Sequence, residues 1–219
     1  MRLLFLLLLI GLAACGQHTK KYIPNKKAIQ LEDSAIQLIK VYSSDTIPPE
    51  NSYQKAIWLL NEAIRIDSNL TSAYSNKAIF ELHLKQYDKA LGTAYRLIEI
   101  KPNVPEFYVL AGMICESTGD TINSYKYFNI AVNKSKDKLD TMGIKNKKYD
   151  YLLMNEAVYL ILAGQQIKGN EILKQLYEKS HDDLYKETIM QFLNKSRKEV
   201  FENIFNPKST SETKITYPK

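Results

Sequence analysis

The fold is decided by residues 54–131, whose sequence is QKAIWLLNEAIRIDSNLTSAYSNKAIFELHLKQYDKALGTAYRLIEIKPNVPEFYVLAGMICESTGDTINSYKYFNIA. When this stretch is shifted by 34 residues, it matches itself in residue type. The matching positions are Tyr74 with Tyr108, Ala78 with Gly112, Ala56 with Ala90 and Ser124, and Ala63 with Leu97 and Ala131. Small residues let two antiparallel helices approach closely, and larger apolar residues fill the space beside them. The repeat therefore predicts stacked helix pairs.

One copy of the repeat carries a recognisable motif. It contains Tyr74, Ala78, Tyr87-Asp88-Lys89-Ala90, Ala94, Leu97 and Pro102. This motif resembles the tetratricopeptide repeat (TPR), although Lys77 stands where the family usually has Leu and Ser124 where it usually has Ala. The resemblance implies an all-α, right-handed superhelix of about four helix-turn-helix repeats with a C-terminal capping helix, over residues 28–205.

The repeat is irregular on both sides of its centre. Upstream, we expect a first helix over Ala28 to Tyr42, then a loop from Ser43 to Ser52, because Pro48-Pro49 interrupts the helical pattern. Downstream, the pattern returns at an offset of 45 instead of 34 residues, which places an eleven-residue insertion in Asn133 to Asp150. This Lys-rich segment is expected to extend one helix and then form a loop.

The end of the chain has a different pattern. Apolar residues recur among charged ones from Asp182 to Phe205, which predicts one or two amphipathic helices that cover the last repeat. Residues 206–219 are polar, and we expect them to be a disordered tail.

The first residues have the features of a signal peptide, predicted over residues 1–14. Arg2 provides a positive charge, Leu3 to Leu12 is an apolar run, and Ala13-Ala14 are small residues typical of a cleavage site. Ten apolar residues rise only about 15 Å as a helix, roughly half of a bilayer core. A stable membrane span is therefore the weaker interpretation.

Leu12-Ala13-Ala14-Cys15 resembles the lipobox of bacterial lipoproteins, in which the cysteine is acylated. The alternative is an ordinary secretory signal that happens to precede a cysteine. In enterobacterial lipoproteins an Asp after the cysteine resembles an inner-membrane retention signal, but Gly16 stands here, which favours the outer membrane. Residues 17–21 lack the acidic cluster that resembles a surface-export signal, which favours the periplasmic face. The resemblance thus implies a lipid anchor on Cys15, in the outer membrane and facing the periplasm. Residues 15–27 are polar and are predicted to be a flexible spacer.

The charge pattern argues against a nucleic-acid partner. The net charge is +6, but the 30 basic residues are dispersed among 24 acidic residues and form no motif. Binding to nucleic acid requires a clustered basic surface. Solvated helix faces account better for the lysines.

Few residues are candidates for catalysis or metal binding. His18, His83 and His181 are far apart in sequence, and no zinc-binding spacing occurs. Cys115 is the only plausible nucleophile, but its helical position predicts a small buried hydrophobe. Glu116 and Asp120 fit solvated surface better than a general acid and base. We therefore predict a non-enzyme without a cofactor or a metal.

The TPR resemblance implies a binding groove lined by the first helix of each pair. The lining residues would be Ser75, Ile79, Leu82, His83, Val109, Met113, Glu116, Met154, Val158 and Ile161. Such an apolar surface suits a helix or an extended peptide, unless the spacer or the C-terminal helix covers it internally. The leading hypothesis is a membrane-anchored adaptor that binds another envelope protein. The alternative is a carbohydrate- or peptidoglycan-binding lipoprotein, in which some of the fifteen tyrosines stack on a glycan.

Overall fold

A computed structural model describes residues 22–42, 48–144, 146 and 148–205. Within these residues the chain forms ten helices and no strand, which confirms the prediction of an all-α fold. The helices are α1 (Lys26–Lys40), α2 (Glu50–Ile66), α3 (Thr71–His83), α4 (Tyr87–Ile100), α5 (Pro105–Ser117), α6 (Thr121–Met142), α7 (Tyr149–Leu162), α8 (Gln166–Lys179), α9 (Asp183–Met190) and α10 (Arg197–Phe205). The predicted signal peptide, Cys15, most of the predicted spacer and the predicted tail lie outside the described residues.

The first eight helices form four pairs. Helix α1 packs on α2, α3 on α4, α5 on α6 and α7 on α8, and each second helix also packs on the first helix of the next pair. This is the stacked helix-turn-helix arrangement that the 34-residue repeat predicts. We call α1, α3, α5 and α7 the first helices, and α2, α4, α6 and α8 the second helices.

The turns inside three of the pairs have the same backbone structure. The N–H groups of Gln86, Asp120 and Gln165 donate to the carbonyls of Glu81, Cys115 and Leu160 at 2.9, 3.0 and 2.8 Å. The residue before each of these donors has a positive φ: 57° at Lys85, 80° at Gly119 and 82° at Gly164. A left-handed residue lets the chain reverse directly after a helix while the last carbonyls keep a partner.

Small residues set the distance between paired helices. A Cβ atom on Gly112 would lie 2.7 Å from the Phe128 ring, and one on Gly169 would lie 2.6 Å from both the Ala157 carbonyl oxygen and the Ile161 side chain. Phe128 and Ile161 are fully buried. The glycines therefore allow α5 to approach α6, and α7 to approach α8, closely enough to bury these larger side chains.

The predicted insertion lengthens one helix. Helix α6 has 22 residues, whereas α4 and α8 have 14 each. The added turns still pack on the array, because Ser135 and Leu139 are buried. The helix ends at Met142, and the next residue, Gly143, has a φ of 75°. The expectation that the insertion extends a helix is confirmed, whereas the predicted loop is only partly described and ends before Tyr149, where α7 begins.

The N-terminal pair begins with defined caps. The Asn25 side chain accepts a hydrogen bond from the N–H of Lys27, so α1 begins two residues before the predicted start at Ala28. Asp67, in the turn after α2, accepts from the Tyr22 hydroxyl at 2.8 Å and from the Asn25 N–H at 2.9 Å. Helix α2 begins directly after Pro49, so the loop that we expected to reach Ser52 ends earlier. Proline is compatible with a helix start because the first N–H groups have no intrahelical partner.

The segment from Asp182 to Phe205 forms two helices. Helix α9 packs on α8 and continues the array, whereas α10 packs on α7, a first helix. The core of the described residues divides into three clusters that follow the pairs along the array. The last cluster includes Val200 and Ile204 of α10.

Candidate binding groove

The ten residues predicted to line the binding groove lie on α3, α5 and α7, and we call them the groove. Seven of them are buried in the structure: Ser75, Leu82, Val109, Met113, Met154, Val158 and Ile161. Ile79, His83 and Glu116 are partly exposed. Ile161 is buried inside its own pair, against α8 beside Gly169. The burial of the other residues indicates that something already covers the groove.

Burial along α5 and α7 shows that these two helices are covered on more than one face. Every residue of α5 from Pro105 to Cys115 is buried, and on α7 nine consecutive residues end at Leu162. A helix that is hydrophobic and buried all round needs partners on opposite sides. Helices α4, α6 and α8 cover the outer sides of α5 and α7. The remaining side faces α10.

Helix α10 lies across the groove. Val200 and Ile204 are almost completely buried, and they belong to one cluster with Met113, Met154 and Val158. The sequence left open whether the groove is filled internally. In the described residues, the C-terminal helix fills it.

The N-terminal end of α10 is fixed by Arg197. The guanidinium makes two hydrogen bonds to the Glu116 carboxylate, one of them from Nη2 at 2.7 Å, and its Nε donates to the Leu162 carbonyl at 2.7 Å. The same group lies 4.3 Å from the centroid of the Tyr125 ring. A planar guanidinium suits this site because it pairs with a carboxylate in two places and stacks on an aromatic ring.

Glu116 is the acidic member of the otherwise mostly apolar groove. Besides Arg197, it accepts a short hydrogen bond from the Ser124 hydroxyl. The hydrogen bonds from Arg197, its positive charge and the Ser124 bond lower the pKa of Glu116 despite partial burial. The expectation that Glu116 is solvated surface is wrong, because its side chain is only 20% exposed and is paired.

The C-terminal end of α10 is fixed by an aromatic stack. The Phe205 ring lies 5.0 Å from the His83 ring, and His83 lies 5.3 Å from Tyr53. These rings join α10 to α3 and α2. Burial lowers the pKa of His83, because a charged imidazolium loses its hydration between the rings.

The residues considered for catalysis have structural roles in the fold. Cys115 is free and only 3% exposed, and burial raises the pKa of its thiol, which disfavours the nucleophilic thiolate. Asp120 caps α6 by accepting from the N–H of Asn123 at 3.1 Å. His181 is among the described residues, and His18 is outside them.

The residues that the structure describes contain no group of three or more His, Cys, Asp or Glu side chains placed to hold a metal ion. In the same part of the chain, none of the helices combines the length and the apolar character that crossing a membrane requires.

Sequence reasoning missed Arg197 and did not connect Phe205 with the groove. Both are signalled by spacing: Arg197, Val200, Phe201, Ile204 and Phe205 follow one another at i, i+3, i+4, i+7 and i+8, which places them on one helix face. A carboxylate in a mostly apolar groove also requires a cation or other hydrogen-bond donors when it is buried. These two signals are compatible with the pairing of Arg197 with Glu116, but neither of them identifies the partner helix.

Comparison with known proteins supports the repeat fold. No protein-family model matches the chain. It is 31% identical to human tetratricopeptide repeat protein 28 over 80 residues, which are 36% of this chain and 3% of that protein. It is 26% identical to a TPR repeat-containing protein of Methanocaldococcus jannaschii over 134 residues, which are 59% of this chain and 23% of that protein.

The matched regions thus span less than a quarter of each relative. Both relatives are named for the repeat that the sequence motif resembles, and the structure has the same stacked pairs. The predicted resemblance to the tetratricopeptide repeat is confirmed.

Proposed function

We propose that this chain is a non-catalytic protein-interaction adaptor, held by a lipid on Cys15 at a membrane of the bacterial cell envelope. The similarity to TPR proteins indicates a protein-interaction repeat protein in general terms. The envelope location and the anchor are the finer parts of the proposal. They rest on the sequence before residue 22.

The observation that carries the adaptor function is the kind of surface that the groove presents. Its residues come from three first helices, and apart from Ser75, His83 and Glu116 they are apolar. The helix that lies on it here shows that the surface accommodates an amphipathic helix. Recognition of a helix in a groove uses apolar side chains about one turn apart, as α10 does.

The proposed location follows from the sequence Leu12-Ala13-Ala14-Cys15 and from Gly16. An acylated Cys15 would hold the chain at a membrane. Without an Asp at residue 16 the outer membrane is favoured, and without an acidic cluster in residues 17–21 its periplasmic face is favoured. Two or more acyl chains give stable anchoring, since each buried methylene contributes about 0.8 kcal/mol.

Site-specific photo-crosslinking in intact envelopes tests the adaptor function. A photoreactive residue in place of Ile79, which is partly exposed in the groove, should form an adduct with a partner protein. The control replaces Ile122, which is 82% exposed in the first turn of second helix α6. We expect no adduct with that partner at the control position.

The other outcomes separate the alternatives. Crosslinks at residue 79 to a glycan, with none to protein, would support the carbohydrate-binding alternative in place of the adaptor. Equal crosslinking of the same partner at residues 79 and 122 would contradict binding through the groove.

A further inference from the structure

Helix α10 is placed differently from the helices that build the array. The other helices pack on their neighbours in chain order, whereas α10 reaches back to residues on α7, α5 and α3. Arg197 and Glu116 are 81 positions apart in the sequence. Helix α10 thus occupies the groove in the way that a separate helical ligand would.

The two faces of α10 also resemble those of a ligand. Arg197, Val200 and Ile204 face the groove, and Phe201 and Phe205 lie beside them, partly buried. On the other face, Lys198 and Glu202 have side chains that are 85% and 57% exposed. The helix therefore binds with one stripe and leaves the other in water.

The connection before α10 is attached next to α9 by the buried ring of Phe192, and its part next to α10 is more exposed. Residues 191–196 link α10 to α9, and Asn194 in this link has a φ of 59° and is exposed. The link is held by a bond from the Asn194 N–H to the Asn170 side chain and one from the Gln166 side chain to the Lys195 carbonyl. Helix α9 has its own attachment, since Ile189 is fully buried and the Tyr185 hydroxyl donates to the Asp150 carbonyl.

A nine-residue helix is also marginal by itself, because an isolated helix in water needs more than about 12 residues to be stable. Helix α10 is therefore helical mainly because it is docked. Once released, it loses the surface that keeps it ordered.

We propose that α10 is a displaceable internal ligand of the groove, and that the partner is an amphipathic helix of another protein that replaces it. The partner helix carries a cationic residue at position i, which pairs with Glu116. It carries apolar residues at positions i+3, i+4, i+7 and i+8. This proposal rests on the proposed adaptor function and adds the chemistry of the partner and the control of access to it.

Occupation of the groove by α10 has a quantitative consequence. A ligand that needs the open groove binds with an apparent affinity equal to its intrinsic affinity multiplied by the fraction of molecules in which α10 is undocked. A substitution of Arg197 that leaves Glu116 in place weakens the docking of α10. It should therefore increase the affinity of the groove for an external helix.

Hydrogen exchange of the full chain is the first test. We expect the amides of α10 to exchange through a local opening, at lower protection than the amides of α5 and α7. If α10 exchanges only when α5 and α7 do, it opens only with the whole domain. That result would overturn the proposal and identify α10 as a permanent cap.

Binding of a fluorescent peptide with the sequence of residues 195–206 is the second test, measured by anisotropy on the full chain. Arg197→Glu in the chain should increase the affinity for this peptide at least about tenfold, because the internal helix is now repelled by Glu116. Lys198→Glu is the matched control: it makes the same charge change on the exposed face of α10 and loses only a weak exposed pair with Glu202, so the affinity should change far less than tenfold.

Charge exchange tests the role of Glu116. A peptide with Glu in place of its Arg should lose binding to the Arg197→Glu chain, and it should recover binding to a Glu116→Arg chain. Equal binding of both peptides to both chains would exclude selection of a cation by Glu116. Loss of the helical fold in the Arg197→Glu chain, seen by circular dichroism, would also contradict a displaceable helix.

These tests fail separately from the test of the adaptor function. If α10 does not open but a partner still crosslinks at residue 79, the adaptor function stands and the displacement proposal is wrong. If α10 opens and the peptide binds, but no protein crosslinks in envelopes, α10 is displaceable and the adaptor function is wrong.

Discussion

Lys85 has a backbone conformation that the equivalent turns give to glycine. Its φ of 57° is in the left-handed region, as are those of Gly119 and Gly164. A residue with a Cβ atom is strained there by about 1 kcal/mol relative to glycine. The repeat predicts helix-turn-helix pairs, but the sequence does not show that Lys85 has the conformation of the two glycines.

We therefore expect Lys85→Gly to raise the free energy of unfolding by about 0.5–1 kcal/mol. Gly119→Ala should lower it by about 1 kcal/mol, because nothing lies within 4 Å of the added Cβ and the backbone strain alone acts. Urea unfolding followed by circular dichroism measures both changes. Destabilisation by Lys85→Gly would show that the left-handed turn does not strain the lysine.

His83 should make stability depend on pH below neutrality. Its folded-state pKa is lowered by burial, so the unfolded chain binds the proton more readily. The stability that neutral His83 contributes is complete above the unfolded pKa of about 6.5 and is lost progressively as pH falls below it. His83→Phe keeps a ring between Tyr53 and Phe205 and removes the titration.

The measurement is the free energy of unfolding from pH 7.5 to 5 for both proteins. The wild type should lose more stability on acidification than His83→Phe does. Glu32, Glu106 and Glu156 have pKa values raised by burial and titrate in the opposite sense, but they are common to both proteins. Identical pH profiles would rule out a contribution from His83.

At the scale of the helices, the sequence predicted pairs well because the contacts within a pair are close in sequence. The match of Ala78 with Gly112 identifies positions where helices touch, and the offset of 45 locates the longer α6. The docking of α10 was not predictable in the same way. Its amphipathic pattern shows that one face is buried, but not which of the distant helices covers it.

The close approach of α5 and α6 gives a prediction at this scale. Gly112→Ala should destabilise the protein by about 1–3 kcal/mol, because its Cβ would lie 2.7 Å from the ring of fully buried Phe128. Gly92→Ala is the matched control in α4: it is exposed and nothing lies within 4 Å of its added Cβ. The control should stabilise the helix by about 0.5–1 kcal/mol.

Both glycine variants are compared with the wild type by urea unfolding. The two changes in the free energy of unfolding should have opposite signs, although each variant adds one methyl group to a helix interior. The difference then comes from the contact with Phe128. If Gly112→Ala is as stable as Gly92→Ala, the packing of α5 on α6 does not depend on the missing Cβ.

At the scale of the whole molecule, the proposed anchor and the groove are connected through the first helix pair. Tyr22 and Asn25 are bonded to Asp67 in the turn after α2, and Tyr53 of α2 stacks on His83 in the groove. Cys15 and Tyr22 are seven positions apart, so they are separated by at most about 25 Å. An acylated Cys15 would therefore hold the first pair, and with it that end of the groove, close to the membrane surface.

The anchor gives the prediction at this scale. Cys15→Ser should abolish incorporation of a labelled fatty acid and move the protein from the membrane fraction to the soluble one, with a fall of more than tenfold in the bound fraction. The reason is that the loss of two or more acyl chains removes about 0.8 kcal/mol per buried methylene, and an apolar run of ten residues is too short to replace them. Cys115→Ser is the matched control, since it removes a buried thiol and should keep both the label and the membrane binding. Labelling that persists in Cys15→Ser, or membrane binding that is unchanged by it, would refute lipid anchoring at Cys15 and leave the groove to act without a tether at that residue.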